Sequence, residues 1–247
     1  VQGENPAMSD PDQIHSRKAL AKLEHLVVQD IFMTETAWNA DIILPASAHA
    51  EKTGTYTNTN RQVQIGRAVV EPPKEVRQDW WIIQEIAKRM GLGWDYKSPK
   101  DIFDEMKLVM PSLNNISWER LEKDNHVTYP VKSELIPGED IIFTNGFPTS
   151  NNLAKIIPVN LINPNDELNS DFPLILSTGR LLEHWHTGTM TRRALVLNEL
   201  EPDPMIFMSQ VDSIFYNLYL NKSVIIETRR GKISIKIRHD DDLLPGM

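Results

Sequence analysis

The sequence predicts two consecutive units of different class, an α/β unit and then a mostly-β unit. Three observations carry this. Near the start, two short apolar runs, "HLVVQDIF" and "ADIILPAS", flank the helix-like stretch "MTETAWNA". Strand, helix and strand joined by short links are the pattern of a parallel α/β unit. Beyond residue 170 the apolar runs "PLILSTG", "MIFMS", "SVIIETRRG" and "KISIKIRH" all read as strands. Between these regions Pro, Asn, Asp and Gly dominate, the composition of a connector with a few short strands. The expected boundaries are 1–110 for the α/β unit, 111–170 for the connector and 171–247 for the β unit.

The elements follow in order. Residues 1–12 are turn-rich, with the opening "VQGENP" reading as a strand end and a turn. Asp10 or Asp12 is placed to cap a helix over 12–24, where Ile14, Ala19, Leu20 and Leu23 recur at helical spacing. A short buried strand, Leu26–Val28, ends at Gln29 and Asp30. Thr34 is placed to cap a helix over "MTETAWNA", and a second strand follows. Residues 51–68 form a polar loop rich in Thr and Asn. "QDWWIIQEIAKRMG" predicts an amphipathic helix with Asp79 as its cap. Trp81, Ile82, Ile86, Ala87 and Met90 share its apolar face, and Gly91 is its stop. A further helix spans 99–109 with Pro99 in its first turn. In the β unit "KISIKIRH" alternates, with Ile233, Ile235 and Ile237 on one face, and "ETRRGK" is the hairpin turn before it. This unit reads as a barrel.

Composition removes several function classes. The net charge is −8, against wholesale nucleic-acid binding, which needs a basic excess. The sequence contains no cysteine, so its own residues supply no disulfide, cysteine-ligated zinc, iron–sulfur ligand or cysteine nucleophile. The lack of cysteine fits a cytoplasmic chain. No stretch is apolar for long enough to span a membrane, and no signal peptide is visible. Both ends read as cut, so a fragment of a longer chain is expected.

Against this acidic background one stretch stands out. "STGRLLEHWHTGTMTRR", residues 177–193, holds three arginines, two histidines, two glycines, four threonines and a serine. Metal, nucleic acid and phosphate are the candidate ligands. His184 and His186, two apart beside Glu183, lack the third or fourth ligand that zinc needs. Phosphate suits Arg180, Arg192 and Arg193 as charged forks, Gly179 and Gly188 for close backbone approach, and the Thr hydroxyls as donors. A surface loop whose arginines pair with nearby acids fits the composition equally. In the α/β unit, Gln29 and Asp30 sit past the carboxyl end of a strand, where open α/β sheets bind ligands. A carboxylate there accepts from a ribose or nucleobase, or simply caps a turn. Lys52 would neutralise a phosphate or stand in solvent.

Five ordered stretches, "GENPAMSDPD", "HLVVQDIFMTETAWNADIILPAS", "AEKTGTYTNTNRQVQ", "RQDWWIIQEIAKRMG" and "TGRLLEHWHTGTMTRR", together resemble the molybdenum formate dehydrogenase alpha subunits, most nearly the NAD-linked type. The wider superfamily includes periplasmic and assimilatory nitrate reductases, which share much of the last stretch. The resemblance covers nearly the whole chain. It implies bis-molybdopterin guanine dinucleotide, with molybdenum or tungsten, as cofactor. It implies that the chain is the C-terminal part of a longer subunit, ending in a truncated double-psi-type β-barrel. It also implies a set of cofactor-binding residues: Gln29, Asp30, Lys52, Asp79, Thr178, Gly179, Arg180, Leu181, Glu183, His184, Trp185, His186 and Thr187, with Asn5 a weaker match.

The same resemblance implies that the catalytic residues and the iron–sulfur clusters belong upstream of Val1 and that further barrel strands follow Met247. No residue of this chain is expected to be catalytic or to bind metal. Formate is the implied substrate of the whole enzyme, and iron–sulfur or flavin electron-transfer subunits are its implied partners. Asn217 and Asn221 stand where the family usually has glycine, and Asn is the residue that best replaces glycine in left-handed turns. The competing readings are a nitrate reductase of the same superfamily and a stand-alone, non-catalytic cofactor-binding or scaffold module.

Overall fold

The computed structural model describes residues 1–219 and 222–247. The chain divides into two compact units, Val1–Ile156 and Ile157–Met247. Both are mixed α/β with small sheets. Among the described residues no helix is long and apolar enough to cross a membrane.

The first unit opens with helices α1 (Pro6–Ser9) and α2 (Gln13–Leu20). Asp12 caps α2 by accepting from the His15 N–H. Helix α2 buries none of its residues and Ile14 is exposed, so its predicted apolar stripe does not face a core. Strands β1 (Val27–Asp30) and β2 (Ile42–Pro45) pair in parallel, as the short apolar runs predict. The array extends on both sides through isolated parallel bridges, Gln2 beside Gln29 and Ala46 beside Arg77. The connection from β1 to β2 is not the expected full helix. It contains a single 3₁₀ turn, Ala37–Asn39, in which Thr36 and not the expected Thr34 holds the cap position, while the Thr34 hydroxyl accepts from the Ala37 N–H. The Thr34 hydroxyl is used locally, a kind of bond that competes with helix, while Thr36 is tied to Asn5 and Ala7 some thirty residues away.

Strands β3 (Gly54–Thr57) and β4 (Gln62–Gly66) form an antiparallel hairpin. Helix α3 (Asp79–Arg89) stops at Met90, and Gly91 follows with φ +84°, the left-handed residue that the sequence places there. Its buried side chains are Ile82, Gln84 and Ala87. Trp81, Ile86 and Met90, expected on the same buried face, are 39%, 44% and 75% exposed. Helix α4 (Pro99–Val109) starts with a reciprocal box in which Ser98 and Asp101 satisfy each other's backbone N–H.

Helix α5 (Trp118–Asp124) and strand β5 (His126–Thr128) follow, with β5 completing a β3-β4-β5 sheet. Residues 111–131, read from sequence as the start of a connector, supply Leu113, Ile116, Trp118, Leu121, Val127 and Val131 to the main core, beside Val63 and Phe103. Elements of three to seven residues do not repeat long enough to display a period, which is why this core escaped the sequence pattern.

The second unit holds α6 (Leu195–Leu200), β6 (Met205–Met208), α7 (Gln210–Phe215), β7 (Ser223–Thr228) and β8 (Gly231–His239). The sheet order is β6-β8-β7, with β6 parallel and β7 antiparallel to β8. The alternation in "KISIKIRH" gives β8, although Ile233 is 58% exposed while Ile237 is fully buried. An apolar cavity of about 1140 Å³ borders the sheet, lined by Leu174, Leu176, Met208, Val224, Ile226 and Ile237 among others. The run "PLILSTG" forms no regular strand; Ile175 donates its N–H to the Gly246 carbonyl at 2.9 Å. Asn217 has φ +54° and ends α7, with the Leu218 N–H reaching back to the Ser213 carbonyl. It thus takes a left-handed helix-stop position. Asn221 lies outside the described residues.

Candidate functional site

In the first unit the parallel pair delivers Gln29 and Asp30 to the carboxyl end of β1. The bridge from Ala46 to Arg77, with the Ser47 N–H donating to the Arg77 carbonyl, lays residues 76–79 beside the end of β2. Helix α3 therefore starts next to the strand ends. The buried Gln29 donates from Nε2 to Asp79 Oδ1 at 2.8 Å, and Lys52 Nζ meets Asp79 Oδ2 at 2.5 Å. Three residues spread over fifty positions so form one polar cluster. Asp79 is the first residue of α3 and not its cap: Gln78 holds the cap position, and the Asp79 carboxylate accepts one bond on each oxygen, from Gln29 and from Lys52, which leaves it further acceptor capacity. Its charge still faces the favourable end of the helix dipole.

Burial opposes ionisation of the Asp79 carboxyl. The hydrogen bonds from Lys52 and Gln29 and the charge of Lys52 outweigh it, so its pKa lies below that of an ordinary aspartate. A depressed carboxylate stabilises the fold above its unfolded pKa, and that contribution is lost as pH falls through the folded value. Lys52→Met removes the counter-charge and leaves burial to dominate. The variant is then expected to have the lower urea midpoint at pH 7, and the gap to the parent is expected to narrow as pH falls through the titration of Asp79, because only the parent loses the pair's contribution. A gap that stays constant with pH would show that the pair does not form.

The other candidates in this unit separate. Asp30 Oδ1 accepts from the Ile31 N–H at 2.7 Å, the turn-capping role. Asn5 is buried among Thr36 and Glu35 and is part of the framework. The sequence reading missed Ser47. Its hydroxyl is buried, just past the carboxyl end of β2, and has no hydrogen-bond partner among the described residues. Its place after a strand end in an α/β unit is a signal that points to it.

In the second unit residues 178–181 form an irregular segment. Thr178, Gly179 and Arg180 are exposed, and Leu181 is half-buried. Beyond them the chain folds back on itself. His184 is 7% exposed, with Nδ1 3.2 Å from Thr191 Oγ1 and Nε2 2.7 Å from the Glu201 carbonyl oxygen. Glu183 is half-buried; Trp185, His186 and Thr187 are exposed. Trp185 and His186 meet edge-on at 4.7 Å.

The three arginines differ. Arg192 donates to Asn198 Oδ1 and to the Pro202 carbonyl, and Arg193 Nε donates to the Thr189 carbonyl. Arg180 alone of the three makes no hydrogen bond or ion pair among the described residues. No three His, Asp or Glu residues group as a metal site among the described residues.

Two family models match the chain. The Molybdopterin oxidoreductase model matches residues 1–89, and the Molydopterin dinucleotide binding domain model matches residues 174–247. The chain belongs to the molybdopterin oxidoreductase family.

The polar cluster of Gln29, Lys52 and Asp79 lies inside the first matched region of this molybdopterin oxidoreductase chain, and the 177–193 stretch lies inside the second. The F420-dependent formate dehydrogenase subunit alpha of Methanocaldococcus jannaschii is 42% identical over 249 residues, covering all of this chain and 37% of the relative. The F420-dependent formate dehydrogenase 2 subunit alpha of Methanococcus maripaludis is 37% identical over 250 residues, with the same shares. The chain thus spans 37% of the length of these relatives. Acetylene hydratase from Pelobacter acetylenicus superposes with a TM-score of 0.74 at 21% identity, over 98% of this chain and 35% of that one. That likeness establishes the shared fold.

Proposed function

We propose that this chain is the cofactor-holding portion of a formate dehydrogenase alpha subunit that carries bis-molybdopterin guanine dinucleotide. The observation that carries the reading is the donor set. In the first unit, Asp79 and Gln29 offer an acceptor and an amide to a guanosine, Lys52 a cation to a phosphate, and the buried Ser47 hydroxyl has no partner among the described residues. In the second unit, the Arg180 fork, unpaired among the described residues and beside Thr178 and Gly179, matches a diphosphate. These residues fit the group chemically. Its metal centre would supply two-electron redox chemistry when bound. In this reading the residues of this chain bind and orient, and the chemistry falls to other residues of the whole protein.

Formate as substrate is supported by relatives named formate dehydrogenases at 42% and 37% identity. Their names also favour F420 over a nicotinamide as electron acceptor of the whole enzyme. Iron–sulfur clusters upstream, electron-transfer partner subunits, a cytoplasmic location and a double-psi-type barrel for the second domain complete the proposal. The test uses the whole protein purified with its cofactor. Acid hydrolysis is expected to release GMP, and formate is expected to reduce F420 or a dye. Bound GMP with nitrate reduction and no formate oxidation would overturn the formate assignment in favour of a nitrate reductase.

A further inference from the structure

We propose that Thr191 is a positioning residue. Its hydroxyl, fixed in direction by His184, sets the exposed turn Trp185–Thr187 that presents donors to the cofactor. The inference rests on the cofactor reading above.

The polarity of the contacts can be worked out atom by atom. The Glu201 carbonyl oxygen only accepts, so His184 Nε2, at 2.7 Å, carries a proton and donates to it. On that tautomer Nδ1 accepts, and the group facing it at 3.2 Å is the Thr191 hydroxyl, which donates. The same hydroxyl oxygen accepts from the Trp185 backbone N–H at 3.1 Å. One hydroxyl therefore joins two partners in a fixed direction: Trp185 N–H to Thr191, Thr191 O–H to His184, His184 N–H to Glu201. Both ring nitrogens of His184 are consumed inside the protein. His184 is then no cofactor donor; it braces its neighbours.

The far end of this line is anchored to the sheet. The Glu201 carboxylate takes both Arg238 amino groups, at 2.7 and 3.3 Å, and Arg238 lies on β8 opposite Phe207 of β6. The guanidinium holds the Glu201 carboxyl below its ordinary pKa. A second tie runs parallel to it, from Arg192 to the Pro202 carbonyl at 2.9 Å.

The near end is a strained turn. His186 has φ +51° and Gly188 φ +79°, and the Gly188 N–H closes on the Trp185 carbonyl at 2.9 Å. A histidine in the left-handed region persists where surrounding contacts over-determine it. The Thr191 bond to the Trp185 N–H fixes the residue just before that strain. As a result His184 is buried, while Trp185, His186 and Thr187 are turned outward. Thr191 holds the turn by the backbone N–H of Trp185, so its effect on a ligand passes through the turn.

The test compares Thr191→Val, which keeps the shape and loses the hydroxyl, with Thr191→Ser, which keeps the hydroxyl. In the purified holoprotein, GMP released by acid per mole of protein is expected to fall about tenfold in the valine variant and to stay at the parental level in the serine variant. Thermal midpoints serve as the folding check. In the cofactor-free protein, the ¹⁵N spectrum of the His184 ring is expected to show the proton on Nε2, with the Nδ1 resonance displaced in Thr191→Val only. Full GMP content in a valine variant with displaced Nδ1 would overturn the positioning role, as would a parental ring protonated on Nδ1 and bare on Nε2. A parental protein without GMP would overturn the cofactor reading and the positioning role together. The ring spectrum would then still report whether the brace exists.

Discussion

Asn5→Ala is expected to destabilise the first unit by about 3 kcal/mol, from two or more buried polar groups left without a partner at ~1–3 kcal/mol each. Asn5 is 6% exposed and holds three contacts across some thirty residues. Its Oδ1 accepts from both the backbone N–H and the hydroxyl of the fully buried Thr36, at 3.1 and 2.8 Å, and its Nδ2 donates to Glu35 Oε2 at 2.7 Å. Thr36 in turn accepts from the Ala7 N–H at 3.0 Å. An alanine methyl replaces none of this, and the space it leaves is flanked by polar atoms. A loss of this size corresponds to a fall in thermal midpoint of roughly 6–12 °C for a chain of this length. GMP bound per folded molecule is expected to stay at the parental level, because the amide oxygen and nitrogen of Asn5 are both engaged by Thr36 and Glu35. Unchanged melting with lost GMP would make Asn5 a ligand after all. The family resemblance places Asn5 among the weaker cofactor contacts, and this variant decides between the two roles.

The contrast between Asn5 and Arg180 shows which parts of the molecule sequence can disclose. Periods and punctuation were readable: the alternation of β8, the Gly91 stop of α3, Pro99 at the start of α4, and the parallel pair β1–β2 from two short apolar runs. Each depends on a pattern carried by consecutive residues, where backbone geometry imposes a period. Partners far apart in the chain were not readable. Nothing near Asn5 announces Thr36, and nothing near His184 announces the Glu201 carbonyl or, behind it, Arg238. Composition counted three arginines in residues 177–193 as equals, yet Arg192 and Arg193 are bonded to carbonyls of their own loop and its neighbour. The residue types of a phosphate site were visible; which of them are committed to holding the loop was not. The same limit explains Asp79. A carboxylate before a helix reads as a cap, and only the tertiary fold brings Lys52 and Gln29 against it.

Arg180→Ala is expected to lower the affinity for the pterin dinucleotide by roughly ten- to a hundredfold, the range for losing a charge-assisted, forked contact to phosphate. The argument is one of availability. Of the three guanidinium groups in the stretch, two already satisfy protein carbonyls, and diverting them to a ligand would release the loop they hold. Arg180 has no such duty among the described residues, and Thr178 and Gly179 beside it are exposed. Its removal therefore has no structural partner to strand, and the thermal midpoint of the cofactor-free protein is expected to be unchanged. Arg180→Lys keeps the charge and loses the fork, so an intermediate loss is expected, since a point charge cannot grip two phosphate oxygens at once. Metal and GMP content of the holoprotein, measured after extended dialysis, give the ranking parent, then lysine, then alanine. Equal retention by all three would remove Arg180 from the site. A lysine variant as depleted as the alanine would show that geometry, more than charge, makes the contact.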